Sequence, residues 1–167
     1  MPQDSPRIGH GYDVHRLELP ADGGLPLVIG GVRFEHVHGP VAHSDGDVLL
    51  HAVTDALLGA LGEPDIGQLF SDTDPKHQGQ DSAEFVGEAM RRVRAAGYRV
   101  GNLDATVVLE CPKLGPRKEE IRARLAELLG TDAVNVKGKT HEGLDAVGRG
   151  KAIEAHAVVL IVADTRN

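Results

Sequence analysis

The chain has a single cysteine, Cys111, among its 167 residues. No disulfide can form within it, and so sparse a thiol content fits a reducing compartment. Cys111 stands in an apolar stretch before Pro112, so a buried, inert thiol is expected rather than a nucleophile. No apolar run approaches the ~20 residues needed to span a bilayer. Positive charge is also scarce: 18 Lys and Arg face 25 Asp and Glu, for a net charge of -7. That balance argues against a general nucleic-acid or anionic-membrane binder. A highly anionic ligand would have to be met by metal ions and a few placed cations. No internal repeat or linker is visible. The length fits one compact domain, able to bury a core without staples, over residues 7–164. Residues 1–6 are too short and polar for a signal peptide and are expected to be a disordered start.

Against these absences stands one dense stretch, Ala42-His43-Ser44-Asp45-Gly46-Asp47-Val48-Leu49-Leu50-His51. It reads as a polar loop running straight into a helix, with Ser44 or Asp45 as the cap and Asp47 as the acidic partner of a capping box. His43 and Ser44 then precede free helix N–H groups that favour anions. His51 lies about one turn inside. Upstream, Asp13 and His15 are two apart in a strand pattern and project to the same face. One Asp and two His suit a zinc site with one open position, if the helix brings His51 to that face. The alternative is ordinary polar residues at a strand end. His36 and His38 read as surface histidines.

Residues 7–16 read as a strand. Residues 25–35 read as two more around Gly30-Gly31, a strong hairpin signal. Residues 47–61 form an apolar helix that stops at Gly62 and Pro64, buried in part by another subunit. On its polar side, Asp55 either orients a metal ligand or pairs at the surface. Residues 65–80 are an irregular acidic segment. A second helix covers 82–96, with Asp81 and Glu84 as a capping pair and a solvated face of Arg91, Arg92 and Arg94. Residues 98–111 alternate as a long strand. A third helix opens near Pro116 and stops at Gly130. Strands at 134–140 and 152–163 close the chain. The order β-β-β-α-α-β-α-β-β implies an α+β domain, a mixed sheet with helices packed on one side.

The segments Arg7 to His15, Ala42 to His51, Thr54 to Ala60, Asp65 to Gly67, Phe70 to Pro75 and Val134 to Lys137 closely resemble one family, in the same order from about Arg7 to Ala163. That family is 2-C-methyl-D-erythritol 2,4-cyclodiphosphate synthase, of non-mevalonate isoprenoid biosynthesis. The resemblance implies a phosphorus–oxygen lyase of the bacterial cytoplasm. It would convert 4-diphosphocytidyl-2-C-methyl-D-erythritol 2-phosphate to the cyclic diphosphate and release CMP. A zinc-dependent phosphohydrolase and a non-catalytic isoprenoid-phosphate binding trimer are the competing readings.

The resemblance also implies roles. Asp13, His15 and His51 match zinc ligands, and Glu142 a ligand to Mg²⁺ or Mn²⁺. His43 and Thr140 match groups that stabilise the transferring phosphoryl group. Ser44, Asp65, Ile66 and Gly67 match substrate contacts, and Phe70 to Asp74, including Asp72 and Asp74, a loop that closes over the substrate. Leu109, Lys113, Leu114 and Gly115 match the nucleotide segment, with Lys139 beside Thr140. Family members are homotrimers with active sites between subunits; here the apolar final strand and first helix would supply the contact. The departures are Lys139 and His141 around Thr140, Asp145-Ala146 in place of Gly-Phe, and Lys151 in place of a glutamate. Ala146 and Arg149 match substrate-binding positions; Arg149 would also lie near the three-fold axis, where it and Lys151 are expected to gather an anion, the alternative being that Lys151 turns outward to solvent.

Overall fold

The computed structural model describes residues 5–70 and 79–165. Five strands form one mixed sheet, in the order β4 (Gly39–Pro40), β1 (Arg7–Glu18), β7 (Ala152–Ala163), β5 (Tyr98–Val108) and β6 (Val134–Lys139). All neighbours are antiparallel except the parallel pair β5 and β6. A separate hairpin joins β2 (Val28–Ile29) to β3 (Val32–Arg33). Its turn, Gly30-Gly31, has positive φ at both residues, as a tight two-residue turn requires. The helices are α1 (Val48–Leu61), α2 (Ile66–Leu69), α3 (Ser82–Ala95), α4 (Lys118–Leu129) and α5 (Asp145–Gly148). The short β4, α2 and α5 were not expected from the sequence, because two to four residues carry too little periodicity to read.

The period of two on each strand divides the sheet into two faces. Gly9, Gly11, Asp13, His15 and Leu17 face the helices, with Ile153, Ala155, Ala157, Val159 and Ile161 of β7 beside them in the core. The opposite face carries Ile8, 70% exposed, together with exposed Tyr12, Val14 and Val158. α1 lies across β1 and β7, and α3 packs on α1.

The approach of α1 to β1 is unusually close. A Cβ on Gly9 would stand 1.7 Å from the carbonyl oxygen of Ala56, and one on Gly11 would stand 1.8 Å from that of Ala52. Only glycine fits there, and Ala52, Ala56 and Ala60 keep the helix side equally thin. Ten of the fourteen α1 residues are buried within this one chain. The expectations that another subunit helps to bury α1, and that α1 supplies an intersubunit patch, are therefore corrected. Its apolar surface is already spent on its own sheet.

The start of α1 also differs from the expected capping. Asp47 is the cap, not Ser44 or Asp45. Its carboxylate accepts from Leu49 N at 3.1 Å and Leu50 N at 3.0 Å, and from the hairpin N–H groups of Gly30 and Gly31 at 2.9 and 2.6 Å. One fully buried carboxylate thus ties β2–β3 to α1. Burial pushes its pKa up, and the N–H groups of Gly31, Leu50 and Gly30 pull the other way. With those donors filled, the end of α1 is not the open anion site that His43 and Ser44 suggested.

β5 ends at Val108 and β6 at Lys139, each slightly short of expectation. Cys111 consequently lies in an exposed bend rather than a buried strand. α3 is capped by Asp81, which accepts from Ala83 N at 2.8 Å, whereas the Glu84 side chain accepts from Gln80 at 2.6 Å. The capping pair is therefore one-sided.

Candidate functional site

The close crossing of α1 over β1 determines what meets at the C-terminal half of β1. Asp13 and His15 follow Gly9 and Gly11 on the same face. His51 precedes Ala52, whose carbonyl oxygen fills the space above Gly11. Asp13 Oδ2, His15 Nε2 and His51 Nδ1 therefore converge. The separations are 2.9 Å from Asp13 to His51, 3.1 Å from Asp13 to His15, and 3.2 Å between the two histidines. The three residues form the one cluster among those described that could hold a metal ion.

The fit can be tested on size. Ligands on tetrahedral zinc at about 2.0–2.1 Å stand roughly 3.3 Å apart, so this triangle is within a few tenths of an ångström of a tetrahedral face. The donor set, two imidazoles and a carboxylate, suits the same ion. The electrostatics agree. Burial alone would raise the Asp13 pKa, yet the imidazoles of His15 and His51 beside it hold it well below the usual carboxylate range.

The cluster opens into a cavity of about 250 Å³ lined by His15, His43, Ser44, His51, Ile66, Gly67, Phe70 and Phe85, with Val41 and Ala42. His43, Ser44, Ile66, Gly67 and Phe70 were expected here. Phe85, on α3, was not; its ring lies 4.7 Å from Phe70 and 5.9 Å from His51. Asp65 does not line the cavity. Its carboxylate caps α2, accepting from Gln68 N at 3.0 Å. Asp55 has neither of its expected roles: it accepts from Ile66 N at 2.8 Å and so anchors the cavity wall to α1. Burial raises its pKa, opposed by the Ile66 N–H and reinforced by Asp65 and Asp13. Asp72 and Asp74 lie outside the described residues.

Two residues that sequence reasoning assigned only to helix starts stand behind the cluster. Ser82 Oγ lies 2.9 Å from His51 Nε2 and donates a short hydrogen bond to Asp45 Oδ1. Asp45 Oδ2 accepts from Ser82 N at 3.1 Å, and Ser44 Oγ lies 3.1 Å from His51 Nε2. Asp-Ser before a helix is an ordinary capping signal, so nothing local marked Ser82.

A second cavity, about 600 Å³, lies at the other edge of the sheet. It is lined by Leu109, Lys113, Leu114, Gly115, Lys139, Thr140 and Glu142, all candidate site residues from the sequence, and also by Val107, Pro112, Lys118 and Gly138. Three lysines in one concavity favour an anionic ligand in a chain that is acidic overall. The two cavities share no lining residue. Register explains the separation. Asp13 pairs with Ala155, Ala155 with Val107, and Val107 with Gly138. Three strand spacings put Asp13 and Gly138 about 14 Å apart. The chain therefore does not bring Thr140 and Glu142 to the Asp13–His15–His51 cluster.

Ala146 and Arg149 are exposed and line neither cavity. The turn before them is distinctive. Glu142 and Asp145 are the two non-glycine residues with positive φ, +53° and +54°, among those described. His141 Nδ1 and Asp145 Oδ2, both departures from the family pattern, are 2.8 Å apart, and each perturbs the other: Asp145 raises the His141 pKa and His141 lowers that of Asp145.

Comparison with known proteins agrees with this geometry. The YgbB family matches residues 6–162. The chain is 54% identical over 157 residues to 2-C-methyl-D-erythritol 2,4-cyclodiphosphate synthase of Bordetella avium, covering 93% of this chain and 94% of that one. It is 56% identical over 158 residues to the chloroplastic synthase of Catharanthus roseus, covering 93% of this chain but 65% of that protein's length. The structure of Plasmodium falciparum IspF in complex with CDP superposes with a TM-score of 0.83 at 36% identity, covering 97% of this chain and 99% of that one. The chain belongs to the 2-C-methyl-D-erythritol 2,4-cyclodiphosphate synthase family.

Proposed function

We propose that this protein is a phosphorus–oxygen lyase that converts 4-diphosphocytidyl-2-C-methyl-D-erythritol 2-phosphate to 2-C-methyl-D-erythritol 2,4-cyclodiphosphate and CMP. The observation that carries the reading is the convergence of Asp13 with His15 and His51, two histidines that line a cavity, in a chain of this family. The 2-phosphate oxygen forms a bond to the β-phosphorus, the bond between that phosphorus and the bridging oxygen breaks, and CMP leaves with the electron pair. The nucleophile belongs to the substrate, so the protein's task is positioning and charge neutralisation.

Asp13, His15 and His51 would hold zinc, which supplies Lewis-acid polarisation of a phosphate oxygen. His43, exposed at the cavity mouth, and Ser44 donate to the same phosphoryl group, while Ile66, Gly67 and Phe70 wall the methylerythritol unit. The lysine-lined cavity takes the cytidine diphosphate end, with Lys113 and Lys139 on the phosphates and Leu109, Leu114 and Gly115 around the nucleoside. Thr140 and Glu142 face the diphosphate, and the carboxylate of Glu142 suits Mg²⁺ or Mn²⁺. Its positive φ supports this, because strained backbone gathers at functional sites.

The two cavities stand apart within one chain, which supports a site shared between copies, in a homotrimer that pairs the metal cluster of one subunit with the nucleotide cavity of the next. The open sheet face of Ile8, Tyr12, Val14 and Val158 is the apolar surface available for such an assembly. Arg149 and Lys151, exposed after α5, would gather an anion near its axis. No helix among the described residues is long and apolar enough to cross a membrane, and we place the enzyme in the bacterial cytoplasm.

The test is turnover of the cytidylated substrate with added Zn²⁺ and Mg²⁺, followed by ³¹P NMR. A cyclic diphosphate with stoichiometric CMP supports the synthase. Linear phosphates point to a hydrolase, and absence of any product to a binding protein; either overturns the proposal.

A further inference from the structure

We infer that Ser82 and Asp45 are positioning residues that select the metal-binding tautomer of His51; the inference rests on the reading that Asp13, His15 and His51 hold zinc. The Asp45 carboxylate only accepts hydrogen bonds. It accepts from Asp47 N at 3.1 Å, from Ser82 N at 3.1 Å, and from the Ser82 hydroxyl. The single Ser82 hydroxyl proton is therefore committed to Asp45. Ser82 Oγ can then serve His51 Nε2, 2.9 Å away, only as an acceptor. It follows that Nε2 carries the imidazole proton and that Nδ1 of the neutral ring presents a lone pair.

That lone pair points at Asp13 Oδ2, 2.9 Å away, and His15 Nε2, 3.2 Å away. Two acceptor atoms, His51 Nδ1 and Asp13 Oδ2, then face one another at 2.9 Å and repel unless a cation lies between them. The Ser82–Asp45 pair thus builds the cluster for a metal ion from behind. Ser82 is fully buried, so water does not compete for these bonds. Ser44 Oγ, 3.1 Å from the same Nε2, accepts from Gly46 N at 3.2 Å and shares the Nε2 proton. Its own hydroxyl proton remains available to the cavity it lines.

Reversing the last carboxylate reverses the chain. In Asp45→Asn an amide N–H can donate to Ser82 Oγ, which frees the serine proton for His51 Nε2 and moves the imidazole proton to Nδ1, the atom zinc needs. Outer hydrogen-bond partners of metal-bound histidines typically contribute about 10–100-fold in metal affinity.

The experiment measures zinc Kd by chelator competition for wild type, Ser82→Ala and Asp45→Asn. It also records ¹⁵N–¹H imidazole correlations of the zinc-loaded wild type, and thermal midpoints of the metal-free proteins. The expected result is about a 10–100-fold weaker Kd in both variants with small changes in midpoint, and a proton on Nε2 of His51. Should Ser82→Ala not fold, Asp45→Asn and the wild-type spectrum still decide. Wild-type affinity in Asp45→Asn, or a proton on Nδ1, overturns the inference. If wild type itself binds no zinc, the reading of the cluster fails, and the inference with it.

Discussion

The carbonyl oxygen of Ala52 occupies the place where a Cβ on Gly11 would stand, 1.8 Å away. This contact sets the height of α1 over β1. His51 is the residue before Ala52, so the same contact sets its distance from Asp13 and His15. Gly11→Ala must lift the helix, because the obstacle is backbone rather than a flexible side chain. We expect a loss of about 1–3 kcal/mol or more in unfolding free energy, as for overpacked cores, together with weaker zinc binding. Denaturant titration and chelator competition check both. Wild-type zinc affinity in a destabilised variant would show that the cluster does not depend on this crossing.

Asp47 and Asp81 both cap helices, but their surroundings differ. Asp47 is fully buried and serves four N–H groups on two elements, whereas the Asp81 carboxylate serves Ala83 N. Loss of a cap costs about 0.5–2 kcal/mol, and each buried donor left without a partner adds about 1–3 kcal/mol. Asp47→Ala is therefore expected to cost at least ~3 kcal/mol and Asp81→Ala about 1 kcal/mol. Equal losses in matched denaturation curves would refute the bridging role of Asp47.

Glu142 stands in the lysine-lined cavity, away from the Asp13 cluster. Glu142→Gln should keep bound zinc at the wild-type level while losing most of the rate and its dependence on added Mg²⁺ or Mn²⁺. Elemental analysis and a metal titration of turnover separate the two effects. Loss of zinc in this variant would mean that the two sites are not independent.

Glu88 pairs with Arg91 at 2.6 Å and Arg92 at 2.8 Å, and these partners hold its carboxyl down at about 2 from 4.5, against a smaller upward push from burial. Its folded pKa lies below its unfolded value. The stabilisation is therefore complete above about pH 4.5 and lost as pH falls toward 2. The groups are largely solvated, so about 0.5–1 kcal/mol is the expected size. The difference in unfolding free energy between wild type and Glu88→Gln should be constant above about pH 5 and shrink below it. A difference that grows on acidification contradicts the assignment.

What the sequence determined by itself was periodic or near in chain. The alternation in β1 placed Asp13 and His15 on one face. The apolar spacing of α1, its stop at Gly62 and the paired glycines of β2–β3 were all local signals, and the final strand was legible to the residue. Ordered motifs likewise carried the family and most of the cavity-lining residues. The tertiary structure decided whatever depended on two distant segments meeting. It made Asp47 the cap of α1, because only there do the N–H groups of Gly30 and Gly31 arrive, and it turned Asp55 toward Ile66 N rather than toward a metal ligand. It exposed Cys111 by ending β5 three residues earlier than the apolar pattern suggested. It put Ser82 behind His51 across 31 positions of chain. Thr140 and Glu142 were kept three strands from Asp13, because register and strand order follow from packing, which no local pattern encodes.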